Sequence, residues 1–337
     1  MRRLLKIVQT LLLSSLVFLL ILSVWLSLDT YRTATNATPN VFFKIEKGKG
    51  IKAIAQSLKE KGILQKKWPF LFRYELFYYP KSLKAGEYLF TSFYSTQEIL
   101  NTLTLGKVYL HPLTIAEGWT GQEITAYLTS SGFGTEEDFR AAFMNPEIIS
   151  SWDQKAWNLE GYLFPETYYL SLGQTSEEIF LKIVNQFQSV FAEPWRRRTA
   201  EMGMTIREVV TLASLIEKEA SLSEEKKRVS AVFHNRIKQR MKLDCDPTII
   251  YVLKQNGLFE GRLRSKDLRL DSPYNTYLYA GLPPSPICNP GKESLEAALY
   301  PAKENYFYFV SRNDGSHHFS RSFREHQLAV KKYQKRR

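Results

Sequence analysis

Cysteine is scarce in this chain, with two residues, Cys245 and Cys288, in a sequence of 337. No Cys-His cluster accompanies them, so a structural zinc site has no ligand set to draw on. Neither their number nor their spacing shows that they pair. Histidine is scarce too, at 5 residues. His234 has no Cys or His partner at ligand spacing. His317 and His318, as neighbours on an expected strand, point to opposite faces and cannot easily grip one ion. Acidic residues are in deficit, 34 against 46 basic ones, for a formal charge of +12. That excess points to an anionic partner, for which nucleic acid, a lipid surface and an anionic wall polymer all qualify, and charge alone does not choose. With 44% hydrophobic residues the chain is no disordered tail. It can bury the cores of two or three compact units.

Formal charge is absent altogether from Ile7 to Leu28, "IVQTLLLSSLVFLLILSVWLSL". At the helical rise this run crosses a hydrocarbon layer of about 30 Å. A cleaved signal peptide has an apolar part of only about 7–15 residues followed by a small-residue cleavage site, and Asp29-Thr-Tyr-Arg32 is a poor one. The run therefore reads as a transmembrane helix. Arg2, Arg3 and Lys6 precede it, whereas Arg32 stands against Asp29 after it, which leaves residues 1–6 cytoplasmic and everything beyond Leu28 outside the cytoplasm. Nucleic acid then drops out as a partner, and the basic tail Lys331-Lys-Tyr-Gln-Lys-Arg-Arg337 reads as a solvated or surface-adsorbing end.

Residues 29–40 form a polar linker. Beyond it, Ile45, Gly48, Ile54, Leu58 and Gly62 recur as Ile115, Gly118, Ile124, Leu128 and Gly132, every pair offset by 70 residues. Each copy predicts a strand, a glycine turn, an amphipathic helix and a glycine cap. Two copies are too few for a solenoid, and a shared local preference explains them equally well. Between them, Lys84 to Val108 predicts an aromatic strand, a cap at Ser95/Thr96 and a short helix closing at Gly106. This stretch resembles the small wall-binding modules called LysM.

The segment Asn158 to Leu170, "NLEGYLFPETYYL", carries Glu160 and Glu166 and reads as a packed loop with exposed acids or as part of a site. From Thr205 the chain becomes helical. Thr205 with Glu208 and Ser221 with Glu224 each make a capping-box pattern, so two helices are expected to meet near residues 220–223. The first of them ends in "SLIEKEAS", Ser214 to Ser221. At about 100° per residue, with Leu212 at 0°, Ile216 falls near 40°, Val209 near 60° and Glu219 near 340°. Glu219 thus lies on the apolar face. Glu217, near 140° on the same wheel, is expected to be solvated or paired with a neighbour. Burial disfavours an ionised carboxylate and raises its pKa toward the range of a general acid, although a helix-junction acid paired with Arg228 or Arg236 gives the same pattern. Further on, "DSPYNTYLYAGLPPSPICNPG", Asp271 to Gly291, is too proline-rich for a regular element and reads as a rigid aromatic wall suited to carbohydrate, or as a surface loop. Tyr306 to Ser320 predicts a hairpin around Asn313-Asp314-Gly315.

"LASLIEKEA", "VFHNRI", "LDCDPTIIY", the long proline-tyrosine segment, "SLEAALYPA" and "DGSHHFS", in this order behind one apolar run, closely resemble the YceG-like endolytic murein transglycosylases. The resemblance implies an α+β fold with one N-terminal transmembrane helix (7–28), a LysM-like subdomain (41–110) and a mixed α+β domain (111–337) that carries the activity. It implies cleavage of peptidoglycan glycan strands at the MurNAc-GlcNAc β-1,4 bond to give 1,6-anhydro ends, with no metal or cofactor, next to peptidoglycan synthases at the cytoplasmic membrane. The second glutamate of the E-K-E motif maps onto Glu219 as the one acid. By the same resemblance Glu166, Asn235, Asp246, Thr248, Tyr251, Tyr274, Asn275 and Thr276 surround the cleft. Cys245 and Cys288 depart from the pattern. They read as two buried thiols in preference to a disulfide across the cleft. The two other readings are a noncatalytic wall-binding protein and a hydrolytic muramidase.

Overall fold

The computed structural model describes residues 6–18, 20, 40–91 and 94–334. Of the expected span at 7–28, residues 7–18 and 20 are described and helical, and the rest, like most of the linker, lies outside the described residues. Among the described residues no helix is long and apolar enough to cross a membrane.

The described chain divides into two compact units. One comprises residues up to His111 with Tyr169–Gly173, and the other comprises Pro112–Tyr168 with Gln174–Arg337. In the first unit strand β1 (Val41–Ile45) leads into helices α1 (Ile51–Glu60) and α2 (Lys67–Phe77), strand β2 (Gly86–Phe90) and helix α3 (Thr96–Leu105). The two strands pair antiparallel, with Phe43 opposite Tyr88. Their inward residues meet Ile54 and Leu58 of α1 and Ile99, Leu100 and Leu103 of α3 in one apolar core. Ser95 is the cap expected at the start of α3, where it forms a capping box with Glu98, and Gly106 closes the helix in the left-handed conformation.

The 70-residue echo carries the same local layout in both places. Strand β3 (His111–Thr114), Gly118, helix α4 (Gly121–Ser130) and Gly132 reproduce β1, Gly48, α1 and Gly62, and all four glycines have φ between 73° and 82°. Thr120 and Glu123 add a capping box to the second copy that the first lacks.

The second unit continues through α5 (Glu136–Phe143), β4 (Thr167–Leu170), α6 (Ser176–Val190) and α7 (Glu193–Glu201) to α8 (Ile206–Glu219) and α9 (Ser223–Lys238). Then follow α10 (Asp246–Gln255), α11 (Lys292–Leu299), strands β5 (Tyr308–Ser311) and β6 (His317–Ser320), and α12 (Phe323–Tyr333). Helix and small two-stranded sheets make this an α+β architecture. Helix α8 is its centre. Every residue from Val209 to Ile216 is buried, because α9, α10 and α11 pack around it. The helix is covered on most sides, including the one that carries Glu217, which is why Glu217 is not solvated although Lys218 beside it is exposed. The Glu217 side chain is only 8% exposed and pairs with Lys226 at 3.3 Å.

The Thr205–Glu208 box caps α8 as expected, whereas the Ser221–Glu224 box does not form. Helix α9 starts instead at Ser223 after an N-cap at Leu222 that makes no side-chain cap bond, and the Ser223 hydroxyl goes to Glu293, 2.5 Å away. The β5–β6 hairpin turns through Asn313 and Gly315, both at positive φ, and sends His317 to Glu225 and His318 to the Tyr333 ring.

Gly161 shows how tightly the core holds the 158–164 turn. It sits at φ +90°, and a Cβ there would lie 2.4 Å from Pro286 and 2.9 Å from Val210 on α8. Gly161→Ala combines a forbidden backbone region with a clash against rigid neighbours. The expected loss is about 3 kcal/mol or more of unfolding free energy, read by denaturant titration.

Candidate functional site

Glu219 is the last residue of α8, and its backbone continues through the extended Ala220 into the junction with α9. The residue as a whole is part-exposed, while protein crowds its carboxyl closely enough that burial is the main influence on it. Opposite it lies the turn Asp244–Asp246 that opens α10. Asp244 adopts positive φ, Cys245 is the N-cap, and Pro247 in the first turn fixes the helical φ without needing a hydrogen bond.

Thr276 holds this turn from below. Its hydroxyl accepts the Cys245 N–H at 3.0 Å and lies 3.1 Å from the Thr248 hydroxyl, which donates to the Cys245 carbonyl at 2.7 Å. The result aims the Cys245 thiol at Glu219, to which it is hydrogen-bonded. Arg236 of α9 braces the other side, donating to the carbonyls of Leu243 and Phe307 and to Asp244.

Burial is the main influence on Glu219 and pushes its pKa up. The Cys245 hydrogen bond opposes the rise, the Asp246 carboxylate adds to it, and Arg236 opposes it, leaving a value of about 7. The thiol stays protonated because burial and the Glu219 charge both push its own pKa well up. Asp246 is exposed, and its Oδ1 accepts the Tyr277 hydroxyl at 2.5 Å. The group therefore offers a carboxyl that holds its proton near neutral pH, with a second carboxylate beside it. Such a carboxyl can protonate a leaving group and take a proton back.

Of the residues singled out from sequence, Glu219 and Asp246 are brought together. Thr248 and Thr276 are buried beneath them. Asn275 is fully buried, with its amide donating to the carbonyls of Leu268 and Leu270. The Tyr251 and Tyr274 rings meet at a tilt of 44°, with centroids 5.4 Å apart. The Asn235 amide is committed to the carbonyls of Glu304 and Tyr306. Glu166 is exposed and accepts the N–H of Thr167. Cys245 and Cys288 are separate buried thiols, the second donating to the Ser214 carbonyl at 3.4 Å.

Sequence reasoning missed Tyr277, although it lies within the proline-tyrosine segment, two residues after Asn275. It also missed the depth of Glu160, which is 1% exposed. Its Oε1 accepts the N–H of Gly121 at 2.9 Å and the Asn289 amide at 3.0 Å, and the Tyr251 hydroxyl approaches Oε2 at 3.4 Å. Desolvation dominates those bonds and raises the Glu160 pKa to about 8. Asn289 in turn accepts the N–H groups of Gly161 and Leu163, so one buried acid ties together α4, the 158–164 turn, α10 and the 289 loop.

Glu217 has a different task from Glu219. It accepts the Gly291 N–H at 2.9 Å and pairs with the buried Lys226, which pins the end of α8 to the start of α11. Thr276→Val leaves the Cys245 N–H without its acceptor. The expected cost is about 1–3 kcal/mol, with a slower reaction at Glu219 because the Cys245 turn loses its seat; unfolding and turnover assays read the two effects.

The YceG-like family model matches residues 43–332. A protein of Bacillus subtilis named endolytic murein transglycosylase is 30% identical over 321 residues, covering 91% of this chain and 88% of that protein. One of the same name from Streptococcus pneumoniae is 28% identical over 88% of this chain, which spans 58% of that relative's length. A crystal structure of a yceG-like protein from Listeria monocytogenes superimposes with a TM-score of 0.59 at 31% identity, covering 86% of this chain and 98% of that one.

Proposed function

The chain belongs to the YceG-like family, and on that premise we propose that it is an endolytic lytic transglycosylase of peptidoglycan with Glu219 as its single acid-base group. One observation carries the reading: a part-exposed glutamate at the end of a buried helix whose carboxyl keeps its proton up to about pH 7. Protonated Glu219 gives its proton to the oxygen of the MurNAc-GlcNAc β-1,4 bond as an oxocarbenium-like centre develops at C1. The carboxylate left behind takes the proton of the MurNAc 6-hydroxyl as that oxygen attacks C1. The bond to the leaving sugar breaks, a C1–O6 bond forms, and the 1,6-anhydro end results with Glu219 protonated again. The nucleophile belongs to the substrate, so no second catalytic carboxylate is needed.

Asp246 and Tyr277 are assigned to the open side of the cleft. Thr248, Asn275 and Thr276 are assigned to the wall behind it, and Tyr251 and Tyr274 to the packing that seats α10. Asn235 holds the C-terminal chain in place, and Glu166 is assigned to the surroundings of the cleft by the family resemblance alone. Residues 111–337 form the catalytic part, and 41–110 a LysM-like wall-binding part. The strand-helix-helix-strand order of β1, α1, α2 and β2 supports the latter. The anchor at 7–28 and an extracytoplasmic catalytic part are supported by the exposed apolar helical residues, among them Leu11, Leu12 and Leu16. In that setting the enzyme terminates the growth of nascent strands beside their synthases.

Asp246 favours a second reading, because a carboxylate beside the acid can activate water and turn the same site into a muramidase. Mass spectrometry of the products from purified glycan strands separates the two. Internal fragments with anhydro ends support the transglycosylase, reducing ends support the hydrolase, and intact strands with folded protein remove both.

A further inference from the structure

The loop between α10 and the proline-tyrosine segment contains "GRLRSKDLRL", Gly261 to Leu270, with four basic residues and one acid. It encloses a half-open cavity of about 290 Å³ lined by Arg262, Arg264, Lys266 and Arg269 together with Glu260 and Asp267. The two acids are already used inside the loop. Glu260 pairs with Arg264, and Asp267 accepts the Arg264 N–H at 2.8 Å. Arg262, Lys266 and Arg269 have no ion pair among the described residues and are exposed. The loop is seated, since the fully buried Asn275 holds the carbonyls of Leu268 and Leu270 at 3.1 and 2.7 Å. A cavity on a fixed loop with three unspent cations suits an oxyanion.

Its position relates it to Glu219. Leu253, which lines the cavity, lies seven residues along α10 from Asp246, roughly 10 Å at the helical rise. An extended peptide covers that distance in about three residues. Resting on the functional reading above, we propose that this basic cavity is a substrate subsite that binds an oxyanionic group carried by the glycan strand. Carboxylates of the peptide stem on the muramyl unit supply that chemistry, and so does the pyrophosphate of a lipid-linked strand. The roughly 10 Å spacing favours the stem.

The test compares the full chain with the variant Arg262→Gln/Lys266→Gln/Arg269→Gln on two lipid-free substrates, peptide-bearing strands and strands stripped of their peptides by an amidase. Inorganic pyrophosphate serves as a competitor in both. The expected result is a KM on peptide-bearing strands about tenfold higher in the variant, with kcat within twofold and the gap closing at high salt. On stripped strands the two proteins should differ by less than twofold. A variant that differs only in losing inhibition by pyrophosphate assigns the cavity to the lipid-linked end. Equal KM on peptide-bearing strands with equal pyrophosphate inhibition overturns the proposal. If the wild type cleaves neither substrate, the catalytic reading fails by itself. The subsite is then judged by calorimetry with free stem peptide and with inorganic pyrophosphate. At least tenfold weaker binding of either by the variant supports the subsite, and equal binding of both overturns it.

Discussion

Glu219→Gln is expected to lower glycan cleavage by about a thousandfold, while making the protein more stable at alkaline pH. Glutamine keeps the shape of the side chain and the contact with Cys245, but it has no proton to give. The stability effect follows from the raised pKa. The folded protein holds the Glu219 proton up to about pH 7, against 4.5 for the unperturbed side chain. The associated stability is therefore fully present below about pH 4.5 and lost as the pH rises through about 7. At pH 8 the wild type carries a destabilising charge on the order of 3 kcal/mol, and the variant does not. Product analysis at pH 6 and melting curves at pH 5 and 8 check both halves. A variant that keeps its cleavage would return Glu219 to the status of a helix-junction acid.

Glu160 should produce the largest structural effect. Its folded pKa of about 8 against 4.5 places the loss of stability between pH 4.5 and 8, and the cost of ionising it is on the order of 4 kcal/mol. Glu160→Gln preserves an oxygen for Gly121 and Asn289 and offers its amide to the Tyr251 hydroxyl. It should match the wild type near pH 5 and exceed it at pH 9. Glu160→Ala removes the acceptor of three donors, the Gly121 N–H, the Asn289 amide and the Tyr251 hydroxyl, and opens a cavity, for an expected loss of about 3–5 kcal/mol at pH 6. Denaturant titrations of the three proteins across pH 5–9 test this. A wild-type stability that does not fall between pH 6 and 9 would mean that Glu160 is ionised and stabilised in the fold.

The two glutamates of the E-K-E stretch show how far sequence reaches. The helical period put Glu219 on the apolar face, and it stands there with a shifted pKa. The same period put Glu217 on the opposite side, where solvent was one expectation. Periodicity reports which residues share a face, but not that α9 and α11 cover the other faces as well. Local signals with a short physical range were legible: the capping box at Thr205, the cap at Ser95, the turn at Asn313–Gly315 and the strand-turn-helix layout shared by the two segments 70 residues apart. The start of α9 was misplaced because Ser221 and Glu224 had the right spacing, while the Ser223 hydroxyl found Glu293, 70 residues away. Glu160 was ambiguous for the same reason. Its depth depends on Gly121, Tyr251 and Asn289, which come from three distant parts of the chain. Of the residues assigned to a cleft by resemblance, Thr248, Asn275 and Thr276 have their polar groups satisfied within the protein. Motif membership does not separate a side chain that meets substrate from one that holds the wall behind it.

The central claim is that a protonated Glu219 performs the cleavage, and the pH dependence of kcat on purified glycan strands tests it most directly. The account predicts a rate that falls as the pH rises, with a midpoint near 7. A rate that stays flat or increases from pH 6 to 8.5, with the protein still folded, would contradict it.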